Sequence, residues 1–417
     1  MEIKEIYKLY QQHPCITTDS RNCPEGSIFL ALKGDSFNGN QFALQALEKG
    51  CAYAIVDEPQ VLGDLERLDS LDQRVIVVDD SLQTYKDLAR EHRRQFDIPV
   101  IGITGTNGKT TTKEHEIAVI EMGASHPGDI KTLVETAEPN CGLITNVGRA
   151  HLQGFGSFEG VCKTKGELYD FLCAHECPVF VNRDNEHLMR MIDERKMRGG
   201  AEADYYFYGQ SDNPDILIHG EVVSCAPFLK FRWREQDADA GYTSEWMEVQ
   251  THLIGAYNLD NMLAAITIGY VNNIPFDKIN HALEGYVPTN NRSQLTETEK
   301  NHLIVDAYNA NPTSMKAAID NFRLMEVSPK MAILGMMGEL GDVSQEEHQK
   351  IIALLEEAHF DEVWLVGSEF QKANSTFRTF ANVEEVKAAI AQEQPQGRYI
   401  LIKGSNSTHL YELPTLL

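Results

Sequence analysis

The segment Thr104-Gly105-Thr106-Asn107-Gly108-Lys109-Thr110-Thr111 has the composition of a loop that wraps phosphate. Glycines let backbone N–H groups curl around an anion, and a helix after the loop adds the positive end of its dipole. Lys109 would meet the terminal phosphates, and the Thr110 hydroxyl a divalent cation. The apolar run VIGIT (100–104) supplies the strand from which such a loop grows. The match to G-x-x-x-x-G-K-[ST] is imperfect, because Ile103 occupies the first glycine position. A plain glycine-rich turn entering a Rossmann-type helix is the alternative. The Gly-Lys-Thr triplet favours nucleotide binding and leaves ligase, kinase, motor and switch all open.

The elements that must position this loop read as alternating strands and helices, which predicts an α/β fold with mostly parallel sheets. Three blocks follow from the punctuation: 1–97, 98–288 and 289–417. The first holds the strand-like runs SIFLALKG (27–34), AYAIVD (52–57) and VIVVDD (75–80). The second begins at the breaker Asp97-Ile98-Pro99 and carries VIGIT, IAVIEM (117–122), GLITNV (142–147) and PVFVN (178–182). The third follows Pro288 with LIVDAY (303–308), MAILGMM (331–337), VWLVG (363–367) and YILIKG (399–404), the rhythm of a doubly wound, Rossmann-like domain. One junction is anomalous. A parallel crossover needs about a dozen residues or more, yet GKTTTKE (108–114) runs directly into HEIAVIEMG (115–123). The spacing predicts an interruption, with a segment missing between Glu114 and His115.

Composition bounds the function. The chain has 417 residues, 42% hydrophobic and 24% charged, as in a soluble globular protein. Neither a run long and apolar enough to span a membrane nor a signal-like start is present, so a cytoplasmic protein is expected. The net charge of −25, with no Lys/Arg block, argues against a nucleic-acid partner. Eight cysteines are scattered; Cys173-x-His175-x-Cys177 alone invites a zinc reading, and without a second ligand pair free thiols are the default.

From TGTNGKTTT onward the chain resembles the Mur ligase family, whose phosphate loop takes this shorter form. Glu121-Met122-Gly123 and Asn146-Val147-Gly148-x-Ala150-His151 end consecutive predicted strands, where ligands gather in parallel sheets. The resemblance makes Glu121 and His151 Mg²⁺ ligands. Lys163-Thr-Lys165-Gly-Glu167 is similar to the family's A-K-G-E segment, which implies that Lys165 is carried as a carbamate; a surface lysine on an exposed helix is the plain alternative. Gly255-x-x-Asn258-x-x-Asn261 resembles an adenine-side motif, and otherwise reads as a capped helix start. Arg292 falls in a Gly-Arg-x-Glu position whose neighbours here are Asn291 and Gln294, so only its phosphate role carries over.

In the third block, Asp306-Ala-Tyr308-Asn309-Ala-Asn311-Pro-Thr-Ser314-Met resembles the signature of the branch that adds D-alanyl-D-alanine to UDP-N-acetylmuramoyl-tripeptide. Gly335-Met-Met-Gly-Glu-Leu-Gly341 with His348, and Lys403-Gly-Ser-Asn, also fit, although Met336 replaces a customary Asp. Thr18-Asp19-Ser20-Arg21 and Ala31-Leu32-Lys33-Gly34 look like the uridine-nucleotide block. The family's T-G-N-x-N-N segment is missing at the anomalous junction.

The resemblance thus implies a three-domain ligase of peptidoglycan precursor synthesis. Its first domain would hold the UDP-muramoyl peptide, with Ser20, Arg21, Lys33 and Gly34 as contacts. The central domain would hold ATP through Gly105, Thr106, Asn107, Gly108, Lys109, Thr110, Thr111, Asn258, Asn261 and Arg292, joined by Asp306. The third would close over the dipeptide with Tyr308, Asn309, Asn311, Ser314 and Lys403. Two Mg²⁺ ions are expected, one on Thr110 and Glu121, the other on His151 and carbamylated Lys165; Lys109, Glu121, His151 and Lys165 form the catalytic set. A monomer is implied. Another amide ligase of the superfamily, such as a folylpolyglutamate synthetase, and a P-loop protein without ligation are the competing readings.

Overall fold

The structure, a computed structural model, describes residues 1–34, 36–62, 74–105, 117–148, 152–197, 203–225, 227–238, 240–288, 294–307 and 309–417. The Glu114–His115 junction and residues Thr106, Asn107, Gly108, Lys109, Thr110, Thr111, His151, Arg292 and Tyr308 lie outside the described residues.

The first compact unit is built on residues 1–100. Strands β1 (Ile16–Thr17), β2 (Ile28–Leu30), β5 (Tyr53–Val56) and β6 (Val75–Val77) form a parallel sheet in the order β1-β2-β5-β6. The three-residue strand β2 is buried throughout, as expected when both faces are covered. Helix Ala43–Glu48 covers one face through Ala43, Ala46 and Leu47; the other carries Ile6, Tyr7 and Leu88 from helices Ile3–Gln12 and Ser81–Arg93. The run 27–34, read as one strand, instead breaks after Leu30 and turns into a hairpin of β3 (Lys33–Gly34) and β4 (Phe37–Asn38).

In the second unit, β7 (Val100–Thr104), β8 (Ala118–Glu121), β9 (Cys141–Ile144), β10 (Val179–Asn182) and β11 (Tyr205–Gly209) continue into β12 (Ile216–Cys225), β13 (Phe228–Asp237), β14 (Tyr242–Thr243) and β15 (Met247–Ile254). The sheet order is β14-β13-β12-β11-β10-β9-β7-β8, with β15 also paired to β13. The β9–β12 ladder is parallel, as is β7 with β9; β12 to β15 pair antiparallel, a hairpin extension that the sequence reading passed over. There Leu229, Phe231 and Trp233 point inward at period 2. The Trp233 indole N–H donates to Asn280 Oδ1 at 2.8 Å. On the opposite face Trp246 lies between the guanidinium groups of Arg232 and Arg234, at 4.4 and 4.5 Å from its ring centre.

The remaining six-stranded sheet has the order β16 (Gln294–Glu297), β17 (His302–Asp306), β21 (Tyr399–Lys403), β18 (Lys330–Gly335), β19 (Glu362–Val366) and β20 (Arg378–Phe380). Only β16 is antiparallel. Helices Pro312–Leu324 and Ser344–Ala358 cover one face, and helix Val383–Glu393 the other, so the sheet is doubly wound as the rhythm of apolar runs predicts. Trp364 is fully buried in the second of these layers.

Candidate active site

The carboxyl ends of β8, β7 and β9 lie side by side. Thr104 closes β7; its hydroxyl donates to the Met122 carbonyl at 2.7 Å, and the Thr145 N–H donates to the Thr104 carbonyl at 2.9 Å. Gly105 follows with φ +155°, and a Cβ there would fall 1.9 Å from the Thr145 hydroxyl. Only glycine passes this point, so the first glycine of the candidate phosphate loop is dictated by the approach of the β9 strand end. Glu121, the last residue of β8, leaves its side chain exposed beside this junction, and the Met122 N–H donates to the Ile103 carbonyl at 2.8 Å.

Lys165 lies on helix Phe158–Ala174, started by Ser157, whose hydroxyl accepts from the Gly160 N–H at 3.0 Å. It is 4% exposed, whereas Lys163 two residues earlier is exposed. The plain alternative of a surface lysine is therefore excluded: helical geometry turns 163 outward and 165 inward. Gly166 lies where a Cβ would meet Arg195 at 2.5 Å, and its carbonyl accepts from that guanidinium at 2.7 Å. The Glu167 carboxylate accepts from the N–H groups of Gly128 and Lys131, at 3.0 and 2.8 Å. Each residue of the Lys-Gly-Glu triplet thus has its own steric or polar reason.

Asn258 begins helix Asn258–Val271, and its amide donates to the Ile254 carbonyl at 2.9 Å while accepting from Asn261 at 3.2 Å. These two side chains hold the turn in which they lie. Beside them is a cluster the sequence reading missed. Asp260 receives a bond from Gln210 at 2.8 Å, and burial raises its pKa. Asp184 accepts from the Gln210 and Ser211 N–H groups at 2.6 and 3.1 Å. The available signal was Asn182-Arg-Asp184 directly after an apolar strand, a strand-end position like those of Glu121 and Asn146.

In the last sheet Asp306 and Lys403 end adjacent parallel strands in direct register. The Lys403 ammonium, on a side chain 1% exposed, lies 2.6 Å from the Asp306 carboxylate and donates to the Asn309 carbonyl at 3.2 Å. Asn311 and Ser314 form a capping box on helix Pro312–Leu324: Asn311 Oδ1 accepts from the Ser314 N–H at 2.9 Å, and Ser314 Oγ from the Asn311 N–H at 3.1 Å. The Asn309 side chain accepts from the Ala310 N–H at 2.8 Å. After β18, the Met337 N–H donates to His348 Nε2 at 3.0 Å, and His348 Nδ1 donates to the Ser344 carbonyl at 2.7 Å. Burial lowers the pKa of this imidazole, which the two bonds fix as neutral.

In the first unit Arg21, its side chain 89% exposed, forks onto Asp19 at 2.9 and 3.0 Å, and this bonding holds the Asp19 carboxyl down to about 2. The carbonyl of Ser20 accepts from Lys49 at 2.7 Å. Lys33 pairs with Glu58 at 3.0 Å and lies 3.4 Å from Asp57. Gly34 lies against the Phe37 ring, where a Cβ would approach to 2.5 Å. The zinc candidates have other neighbours: the His175 ring stacks on Phe171, and Cys173 Sγ lies 3.5 Å from the Tyr205 hydroxyl. Among the described residues no group of acidic, His or Cys side chains forms a metal cluster, and no helix is long and apolar enough to cross a membrane.

Three family descriptions match successive stretches of the chain, and Lys165 falls within the second and the Asp306–Lys403 pair within the third. Residues 14–93 match the catalytic domain of the Mur ligase family, 112–269 its middle domain and 291–406 its glutamate ligase domain. The chain belongs to the Mur ligase family. Within it, the chain is 29% identical to the UDP-N-acetylmuramoyl-tripeptide–D-alanyl-D-alanine ligase of Bacillus subtilis over 448 positions, covering 95% of this chain and 92% of that one. It is 28% identical to the Escherichia coli enzyme of the same name, again over 95% of this chain and 92% of the other. The crystal structure of MurF from Acinetobacter baumannii superposes with a TM-score of 0.80 at 25% identity, over 98% of this chain and 96% of that one. The same fold recurs at TM-score 0.80 and 22% identity in MurF of Thermotoga maritima, solved with ADP, over 96% of each chain. Within the family the chain is thus similar to ligases of the MurF type.

Proposed function

We propose that the protein joins D-alanyl-D-alanine to UDP-N-acetylmuramoyl-tripeptide with ATP, as a monomer in the cytoplasm, in peptidoglycan precursor synthesis. The observation that carries this reading is near full-length similarity to ligases of that name, supported by Asp306, the first residue of the signature, at the end of its strand beside Lys403. The chemistry follows from the leaving group. A carboxylate does not yield to an amine because oxide would have to depart. Transfer of the ATP γ-phosphoryl to the peptide carboxylate gives an acyl phosphate; the dipeptide amine attacks its carbonyl carbon, and the tetrahedral intermediate collapses to amide and inorganic phosphate.

The residues take the following parts. Gly105, Thr106, Asn107, Gly108, Lys109, Thr110 and Thr111 cradle the ATP phosphates, with Arg292 and Asp306 at the nucleotide and Asn258 and Asn261 shaping its adenine end. Ser20, Arg21, Lys33 and Gly34 receive the uridine nucleotide. Tyr308, Asn309, Asn311, Ser314 and Lys403 shape the dipeptide side. Blocks 1–97, 98–288 and 289–417 serve these three substrates in turn.

Mg²⁺ fits the donor set, since the exposed Glu121 carboxylate at a strand end is a hard oxygen ligand of the kind it takes. Thr110 and Glu121 would hold one ion and His151 and Lys165 the other, where Mg²⁺ neutralises charge on the phosphoryl oxygens. Burial of Lys165 supports carbamylation, because a carbamate turns a desolvated ammonium into an oxygen donor. The test is phosphate release from ATP: it is expected only when both peptide substrates are present, and release with either one alone would refute ligation.

A further inference from the structure

Among the described strands β8, which ends in Glu121, is the edge of its sheet, held on one side by β7. An edge strand has no neighbour to fix its outer side, yet a metal ligand must hold its place to about 0.5 Å. The restraint comes from beyond the strand. Residues 122–128 lead from β8 to helix Asp129–Ala137, and this short loop is gripped at three points. The Asp129 carboxylate accepts from the Ser125 and His126 N–H groups at 2.9 and 2.8 Å. Gly154 lies against the Ser125 carbonyl so closely that a Cβ would come within 2.1 Å. The third grip is Glu167, whose two carboxylate oxygens take the N–H groups of Gly128 and Lys131. These are donors that the helix start leaves without intrahelical partners, and an anion suits the positive end of the dipole.

Glu167 stands two residues beyond Lys165 on helix Phe158–Ala174. One helical turn therefore carries the buried lysine and the clamp on the loop that follows Glu121. We propose that Glu167 is a positioning residue for the metal centre: it ties the edge strand bearing Glu121 to the helix bearing Lys165 and fixes the separation of the two metal sites. This inference rests on the reading of Glu121 and Lys165 as metal ligands. The role assigned to Glu167 is indirect, through the N–H groups of Gly128 and Lys131 that it holds.

The test compares Glu167→Ala, Glu167→Gln and Glu121→Gln in the full chain, by phosphate release titrated with Mg²⁺ at saturating substrates. Loss of a group that orients a ligand costs about 10- to 100-fold in metal affinity. Glu167→Ala is expected to raise half-saturating Mg²⁺ by about tenfold while the KM for D-alanyl-D-alanine stays unchanged. Glu167→Gln, which keeps one carbonyl acceptor and the side-chain shape, is expected to fall between it and the parent. A shift in Mg²⁺ dependence for Glu121→Gln with none for either Glu167 variant would overturn the inference and leave the metal reading intact. No shift for Glu121→Gln would overturn that reading instead. Should Glu167→Ala fail to fold, Glu167→Gln decides alone, because a merely structural role would change melting temperature without moving Mg²⁺ dependence.

Discussion

Lys403 and Asp306 are unequal partners, because the lysine side chain is 1% exposed and the aspartate 19%. Removing Asp306 strands a buried ammonium; removing Lys403 leaves a carboxylate that still reaches water. Breaking a buried pair costs about 3–5 kcal/mol, and Asp306→Ala should approach that figure while Lys403→Met costs clearly less, as denaturant midpoints would read. His348 gives a second residue-scale expectation. Its folded pKa lies below the ordinary value of about 6.5, so the unfolded chain binds more protons as pH falls. Its contribution is complete above that value and lost progressively below it. Melting temperature should therefore fall as pH drops through about 6.5, and His348→Gln should flatten that part of the profile. At this scale the sequence was uneven. Lys165 could be picked out by its motif but not its burial, because two lysines two residues apart look alike until a helix turns them to opposite faces. Asp184 and Asp260 were missed because their roles arise from a crowding of strand ends that neither local spacing nor composition encodes.

The capping box of Asn311 and Ser314 makes an element, helix Pro312–Leu324, depend on residues also assigned to the dipeptide side. Asn311→Ala should cost about 1 kcal/mol of stability, measurable as a lower melting temperature, besides any loss of turnover. Parallel strands were legible as continuous apolar runs because both their faces are covered. The β12–β15 hairpins were not, since outward Arg and Glu alternate with Leu229, Phe231 and Trp233 and dilute the apolar signal. The connection from β7 to β8 is the short one that the sequence singles out. Residues 105–117 alone join two neighbouring strands. Inserting a helical segment of roughly a dozen residues at Glu114–His115 is expected to tighten ATP binding in titration calorimetry. Unchanged affinity would mean that the loop binds phosphate without a helix of ordinary length behind it.

For the whole molecule, the α/β class with mostly parallel sheets was foreseeable from the spacing of apolar runs and breakers, whereas the hairpin that extends the sheet of β7 to β11 was not. The three tryptophans add a consequence of their own. Trp233, Trp246 and Trp364 all belong to the second compact unit, and the first, built on residues 1–100, has none. Intrinsic fluorescence excited where tyrosine is silent is therefore an optical probe of one part of the chain alone. Trp246, flanked by two guanidinium groups, should emit to the red of the buried Trp233 and Trp364. Melting of the first unit would pass unseen in that channel while circular dichroism records it, so a gap between the two curves would reveal how independently residues 1–100 come apart.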